Sequence, residues 1–469
     1  MTEFLFKTTP YQHQVDALTI SHNREKFALF MEMGCGKSKV IVDNFVHLFK
    51  NQKINGVLIL APKGVYDTWF SKEIPIHTPD EIDYHIVKWS NANTKKNKKS
   101  LATLFEEPDR LNILTMNIEA LSTKKGAQFI ADFLFKRRCM VIVDESTTIK
   151  NHKAKRTINA VRLGKYAYYR RILTGSPVTK SPLDLYSQAY FLDPSLLGFT
   201  SYFSFRARYA NLMDRSAKGR TFKQVVGYKN LTELNESLLK FSYRVLKKDC
   251  LDLPDKVYLK RIIQMTDEQK RVYKDLQKQA KAQLTTGTVT TVHLITQLVR
   301  LHQVSCGFVG LDGGGLMEIL EETDGKVIIW VNYIHDIQKI EQELIKVYGP
   351  ESVGTYYGEV GQERRAEVID KFQDLKSPLR FFVGNTQTGG YGITLTAAST
   401  VIYYSNNYDL EKRLQSEDRA HRIGQVNKVT YIDIVCEKTV DEKIVKSLRQ
   451  KQNIAQTVLG EEKWKDWLV

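Results

Sequence analysis

The chain has 469 residues, beyond the ~250–300 at which a single hydrophobic core stops growing, so two domains are expected. With 42% apolar and 26% charged residues it reads as an ordinary globular chain: no run approaches the ~20 apolar residues of a membrane span, and Met1–Pro10 lacks the apolar core of a signal peptide. Lys and Arg outnumber Asp and Glu by 69 to 53, a net charge of +16 that makes a polyanion, nucleic acid first, the expected partner.

The first apolar run, Phe27–Met31, leads into Gly34-Cys35-Gly36-Lys37-Ser38 and then a helix-like Lys39–Phe49. A phosphate-binding loop needs this strand–loop–helix context. Its glycines let backbone N–H groups converge on phosphate oxygens, and the helix N-terminus adds partial positive charge. Lys37 is then placed to reach the β- and γ-phosphates of ATP, and the Ser38 hydroxyl to bind Mg²⁺. The strict pattern asks for glycine where Met31 stands, so a glycine-rich turn before a helix is the competing reading of these residues alone.

Further apolar runs follow at Gly56–Ala61, Asn112–Thr115, Met140–Asp144 and Arg171–Thr174. Between the second and third lies the tightest basic run, Lys95, Lys96, Lys98 and Lys99, expected as a solvated loop. Met140–Val143 ends in Asp144-Glu145. Two carboxylates at a strand's carboxyl end sit where α/β sheets bind ligands. Asp144 is the candidate Mg²⁺ holder and Glu145 the residue that orients or deprotonates the attacking water.

From about Leu183 to Leu316 the pattern changes to aromatic and basic segments of helical look, such as Tyr202–Tyr209 and Glu268–Lys281. The chain is expected to cross between domains at Arg244–Pro254. The apolar runs then resume at Lys326–Val331, Leu379–Gly384, Thr400–Tyr404 and Val429–Val435. Short continuous apolar strands separated by helices read as a parallel sheet covered on both faces, here twice over. The expected division is 1–245 with a helical insertion over 183–245, and 246–469 with one over 265–316 and a helical segment at its C-terminal end.

The five cysteines, Cys35, Cys139, Cys250, Cys306 and Cys436, are scattered with no CxxC pair. That argues against zinc and against a disulfide framework, and for a reducing compartment. Cys35 inside the loop is read as a small residue that fits there rather than as a redox brake.

Taken in order, these residues resemble superfamily-two helicases, and within them the Swi/Snf family, from Tyr11 to about Gly460. Met31–Ser38 resembles the first motif of that family, with its Glu-Met before the first glycine. Tyr11-Gln12 resembles the upstream glutamine motif, which implies that Gln12 reads adenine. Leu60–Lys63 followed by Trp69 resembles a strand-contacting motif and implies DNA contact near Lys63. Leu173–Pro177 resembles the motif that couples hydrolysis to nucleic acid, implying roles for Thr174 and Ser176. Thr388–Ala398 resembles the fifth motif and Gln415–Gln425 the sixth, nearly residue for residue; they imply nucleotide contacts at Gly390 and Gln415 and DNA contacts at Thr394 and Thr396.

Arg419 and Arg422 are three apart, which on a helix puts them on one face as a clamp for phosphate oxygens. The resemblance implies two RecA-like lobes, with the arginines acting from the second lobe on ATP·Mg²⁺. It implies a motor that moves along double-stranded DNA by its backbone, without base specificity. Strand unwinding or branch migration at forks and junctions is the alternative, and a non-hydrolysing DNA scaffold the last. One departure stands out: after Asp-Glu the family has Ala or Gly and then His, whereas this chain has Ser146-Thr147, leaving Thr147 as the candidate coupling hydroxyl. Lack of room for histone-reading domains suggests a compact bacterial or phage type, hence a cytoplasmic setting.

Overall fold

The computed structural model describes residues 4–63, 65–217, 220–285, 291–307, 314–389 and 392–461. The chain forms two compact units: Met1–Asp252 together with Asn453–Lys463, and Leu253–Gln452.

The first unit holds strands β1 (Lys26–Met31), β2 (Gly56–Ala61), β3 (Tyr84–Lys88), β4 (Leu111–Asn117), β5 (Cys139–Asp144), β6 (Tyr169–Leu173), β7 (Ala210–Ala217), β8 (Arg220–Tyr228) and β9 (Ser242–Val245). Seven of them make an all-parallel sheet of order β3-β4-β2-β5-β6-β1-β9. Side chains of β1 alternate between two cores. Phe27, Leu29 and Met31 pack with the helix Lys37–Lys50, whereas Ala28 and Phe30 join the core of the helices Lys124–Lys136 and Lys155–Gly164. Burial on both faces is why these strands read as unbroken apolar runs.

The second unit holds β10 (Lys256–Ile263), β11 (Lys326–Trp330), β12 (Val353–Tyr356), β13 (Phe381–Gly384), β14 (Ala398–Tyr403) and β15 (Val429–Cys436). They form a second all-parallel sheet, β10-β15-β14-β11-β13-β12. The fold is therefore α/β with two parallel sheets. Among the described residues, no helix is long and apolar enough to cross a membrane.

Four expectations need correction. The stretch from 183 to 316 is not wholly helical: it contains the antiparallel hairpin β7–β8 and the edge strands β9 and β10. The hairpin residues mix polar and β-branched types, and no apolar run betrays them. The first unit also continues past residue 245, to a point inside the expected crossing at Arg244–Pro254. Lys247 N–H donates to Glu32 Oε2 at 2.8 Å, and Cys250 and Leu251 pack on the loop-side core, so the chain leaves at Asp252. The lysine run is no loop, because Lys95–Ala102 is a helix capped by the Thr94 hydroxyl and anchored by buried Leu101. Finally, Arg419 and Arg422 are not helical: the helix Leu410–Glu417 stops short of them, and turns follow.

Candidate functional site

The loop after β1 turns sharply at Gly34 and Gly36, whose φ angles are +82° and +77°. L-residues rarely adopt that left-handed conformation. A Cβ on Gly36 would also lie 2.0 Å from Gln14 Nε2. The helix Lys37–Lys50 starts directly after it, so its unpaired N–H groups face the loop. The Lys37 ammonium donates to the carbonyls of Met31 at 2.9 Å and Glu32 at 3.3 Å. Ser38 follows, half-buried.

Behind the loop lies a residue the sequence reading passed over. Gln14 is buried; its Nε2 donates to Cys35 O at 3.4 Å and its Oε1 accepts from Tyr11 N–H at 3.0 Å. His13 Nε2 meets the same Cys35 carbonyl at 2.9 Å. Gln12, the expected adenine reader, is exposed and bonded to Asp16 at 2.8 Å on its own helix. The only earlier clue to Gln14 is its place two residues on, facing inward on the same helix.

Asp144 ends β5 at the same sheet edge, since the strands are parallel and the loop follows β1's carboxyl end. Its Oδ2 accepts from the Trp69 indole N–H at 2.7 Å, and its Oδ1 from Glu145 N–H at 2.9 Å. Burial raises the Asp144 pKa; the Trp69 hydrogen bond and the positive charge of Lys37 oppose that rise. Trp69 is itself buried and opens a π-helical turn, Trp69–Glu73. Glu145 adopts φ +47°, a left-handed conformation costly for a side chain with Cβ, which aims it away from the strand.

The third motif is tied to this acid pair. Thr174 Oγ1 donates to Glu145 Oε2 at 3.4 Å, and Ser176 N–H to Thr174 Oγ1 at 3.1 Å. A second link runs through Ser146, whose hydroxyl donates to Gln188 Oε1 at 2.7 Å. Gln188 Nε2 donates onward to Pro177 O at 2.9 Å. Thr147 is buried beside it. Gln188 was invisible in sequence because nothing local marks it. Arg244 clamps the other side, donating to Phe30 O at 2.8 Å and Gly175 O at 2.9 Å. Lys63 stands exposed just past β2.

In the second unit, Arg419 Nη1 donates to Ile393 O at 3.1 Å and Arg422 Nη1 to the same oxygen at 3.4 Å. Turn geometry thus gathers the two guanidinium groups where a helix was expected to. Gln425 holds the turns, donating to the carbonyls of Thr396, Ala398 and Ala420. Gln415 is buried, and its amide has no partner among the described residues. Thr394 is half-buried; Thr396 Oγ1 accepts from Gln373 at 3.2 Å. Gly390 lies outside the described residues. Below these turns, buried Arg413 is paired with Glu417 at 2.8 Å and with Asp433, and lies 3.5 Å over the Tyr403 ring.

A tight glycine loop between a buried strand and a helix, with an acid pair at a neighbouring strand end, defines a P-loop nucleoside-triphosphate-binding unit. The chain belongs to the SNF2-related family: the SNF2-related domain matches residues 11–307, and the helicase conserved C-terminal domain matches 315–424. Similar curated proteins include the ATP-dependent DNA helicase DDM1 of Arabidopsis thaliana, 26% identical over 92% of this chain and 59% of its own. The ATP-dependent helicase brm of Drosophila melanogaster is 25% identical over 94% and 28%. The TATA-binding protein-associated factor mot1 of Schizosaccharomyces pombe is 27% identical over 68% and 20%. The chain thus spans between a fifth and three-fifths of the length of these relatives. A solved SWI2/SNF2 ATPase core of Sulfolobus solfataricus, in complex with double-stranded DNA, is 23% identical with a TM-score of 0.43, covering 98% of this chain and 99% of its own.

Proposed function

We propose that the chain is an ATP-driven motor that translocates on double-stranded DNA and remodels DNA structures or protein–DNA complexes. The observation that carries the reading is the Lys37 loop and the Asp144-Glu145 pair at one sheet edge, tied through Thr174 and Gln188 to a neighbouring segment that can report nucleic acid. Family membership and the net charge of +16 support DNA as the track.

In this reading Gln12, Gly34, Gly36, Lys37 and Ser38 hold ATP, joined by Gly390 and Gln415 of the second unit. Ser38 and Asp144 offer the hard oxygen ligands Mg²⁺ takes, and a buried carboxylate with a raised pKa is a group that a divalent cation would stabilise. When bound, the ion neutralises charge on the phosphates. Glu145 orients the attacking water. Arg419 and Arg422 act on the transferring phosphoryl group, an effect worth about 10³–10⁵ in rate at comparable sites. Lys63, Thr394 and Thr396 touch the DNA backbone; Thr147, Thr174 and Ser176 couple it to hydrolysis. Contacts of this kind carry no base specificity. The cytoplasm of a bacterium or phage-infected host is the proposed setting, supported by five free cysteines.

The test is displacement of a third strand from a triplex ahead of the motor. ATP-dependent displacement from a blunt duplex is expected; none, with forked duplexes opened instead, would favour the second reading. That second reading, strand separation or branch migration, draws on the β7–β8 hairpin, whose Met213, Phe222 and Val226 are exposed and offer an apolar wedge.

A further inference from the structure

The helices Lys124–Lys136 and Lys155–Gly164 cover the sheet face opposite the phosphate-loop helix. Between them lies an open groove of about 740 Å³, within the ~300–1,000 Å³ range of ligand sites. Its lining is one-sided in charge. Lys124, Lys125, Lys155 and Arg162 face it, and no carboxylate does among the described residues. None of the four forms an ion pair among the described residues. Lys125 donates to Asn91 O at 3.2 Å. The nearest acid on these helices, Asp132, is held by Gln128 at 2.9 Å.

Four cations converging without a counter-charge repel one another, and an anionic ligand relieves that cost. The amino ends of both helices border the groove through Thr123 and Lys155, and Ala154 offers the second helix no side-chain cap. Their partial positive charge adds to the same field.

The second observation concerns the groove's far end. Phe135 and Tyr166 form an aromatic pair with ring centroids 4.9 Å apart, yet they are 69% and 49% exposed. The pair lies on the same groove lining as the four cations. Beside a row of cations they form a stacking platform for bases, which duplex DNA keeps hidden and a single strand presents.

We propose that this groove binds single-stranded nucleic acid, with the phosphates on Lys124, Lys125, Lys155 and Arg162 and a base stacked on Phe135 and Tyr166. It is a second nucleic-acid contact beyond the duplex track, and it would let the motor hold a displaced or unpaired strand near its substrate.

The test is fluorescence anisotropy of a labelled oligothymidylate with the full chain, without nucleotide, so that it reads binding whether or not the chain hydrolyses ATP. The Phe135→Ala/Tyr166→Ala variant should bind about 5- to 100-fold more weakly, the loss expected for a stacked base. Lys124→Ala/Arg162→Ala should reduce the salt slope of binding by about 1.4, two phosphate contacts at ~0.7 each for a single strand. Both variants should keep the wild-type thermal midpoint and duplex affinity. Unchanged oligothymidylate binding in both variants would overturn the proposal. So would equal competition by polyglutamate with no effect of the aromatic variant, which would assign the groove to an acidic peptide.

Discussion

Replacing Gln188 by leucine tests whether the acid pair and the third motif communicate through a buried amide. Gln188 has no exposed surface, accepts from Ser146 at 2.7 Å and donates to Pro177 O and Asp184 O at 2.9 Å each. Leucine keeps nearly the volume and removes all three bonds. It leaves the Ser146 hydroxyl and the Pro177 carbonyl buried without this partner, at about 1–3 kcal/mol each. The apolar side chain recovers some of that, roughly 1.5–3 kcal/mol if it packs well. The net expected cost is about 1–3 kcal/mol in urea unfolding. Ser146→Ala in the leucine background removes one orphaned group and should restore about 1 kcal/mol, a coupling of the size seen between contacting residues. Basal ATPase should persist, while stimulation by duplex DNA falls about tenfold, the equivalent of ~1.4 kcal/mol. Stability within ~0.5 kcal/mol of wild type, the level of an uninvolved surface site, with full stimulation would refute the coupling role.

Other perturbations follow from the same geometry. Gly36→Ala sets a Cβ 2.0 Å from Gln14 Nε2 at φ +77°, so ATP binding by isothermal titration should fall at least ~tenfold, about 1.4 kcal/mol, and the unfolding midpoint should drop, a Cβ at positive φ costing roughly 1 kcal/mol or more. Asp433→Ala strips one partner from buried Arg413 and should cost about 3–5 kcal/mol, read as an earlier thermal transition; an exposed pair such as Lys88–Asp67 should cost at most ~1 kcal/mol. Burial pushes the His302 pKa down to about 4, so the unfolded chain takes up a proton before the folded one does. This histidine's contribution is complete above about pH 6.5 and is lost as pH falls toward 4. Asp336 and Asp441, raised to about 6 by burial, act in the opposite sense: their contribution is complete below about pH 4 and lost as pH rises through 6. The readout is therefore the difference from His302→Gln, whose stability should fall less between pH 6.5 and 4.

All nine strands expected from apolar runs exist, and each is interior to its sheet. The four sheet strands that were missed, β3, β9, β10 and β12, are the four edges. β10 is half-exposed and carries polar residues such as Lys256, Lys260 and Arg261, so it lacks the unbroken apolar signature; β12 is mostly buried but only four residues long, with Gly354 and Thr355 at its centre. The site shows a similar limit. Lys37, Asp144 and Glu145 are legible because backbone order fixes them, strand then loop then helix. Gln14 and Gln188 act through contacts distant in sequence or one helical turn aside, and nothing local distinguishes them from core residues; Trp69 stands out in the sequence, but its bond to Asp144, 75 residues on, does not. Arg419 and Arg422 come together, but not by the helical spacing the sequence suggests. Their side chains meet on Ile393 O because Gln425 ties the turns, not because a helix spaces them.

The central claim is tested most directly by steady-state ATPase without nucleic acid and with single-stranded DNA, duplex DNA, a four-way junction or RNA, alongside Glu145→Gln. Strong stimulation by duplex or junction DNA, lost in the variant, is the expected result. Stimulation by RNA alone would contradict the DNA track, and negligible hydrolysis under every condition would contradict the motor and return Ser146-Thr147 to the reading of a non-hydrolysing scaffold.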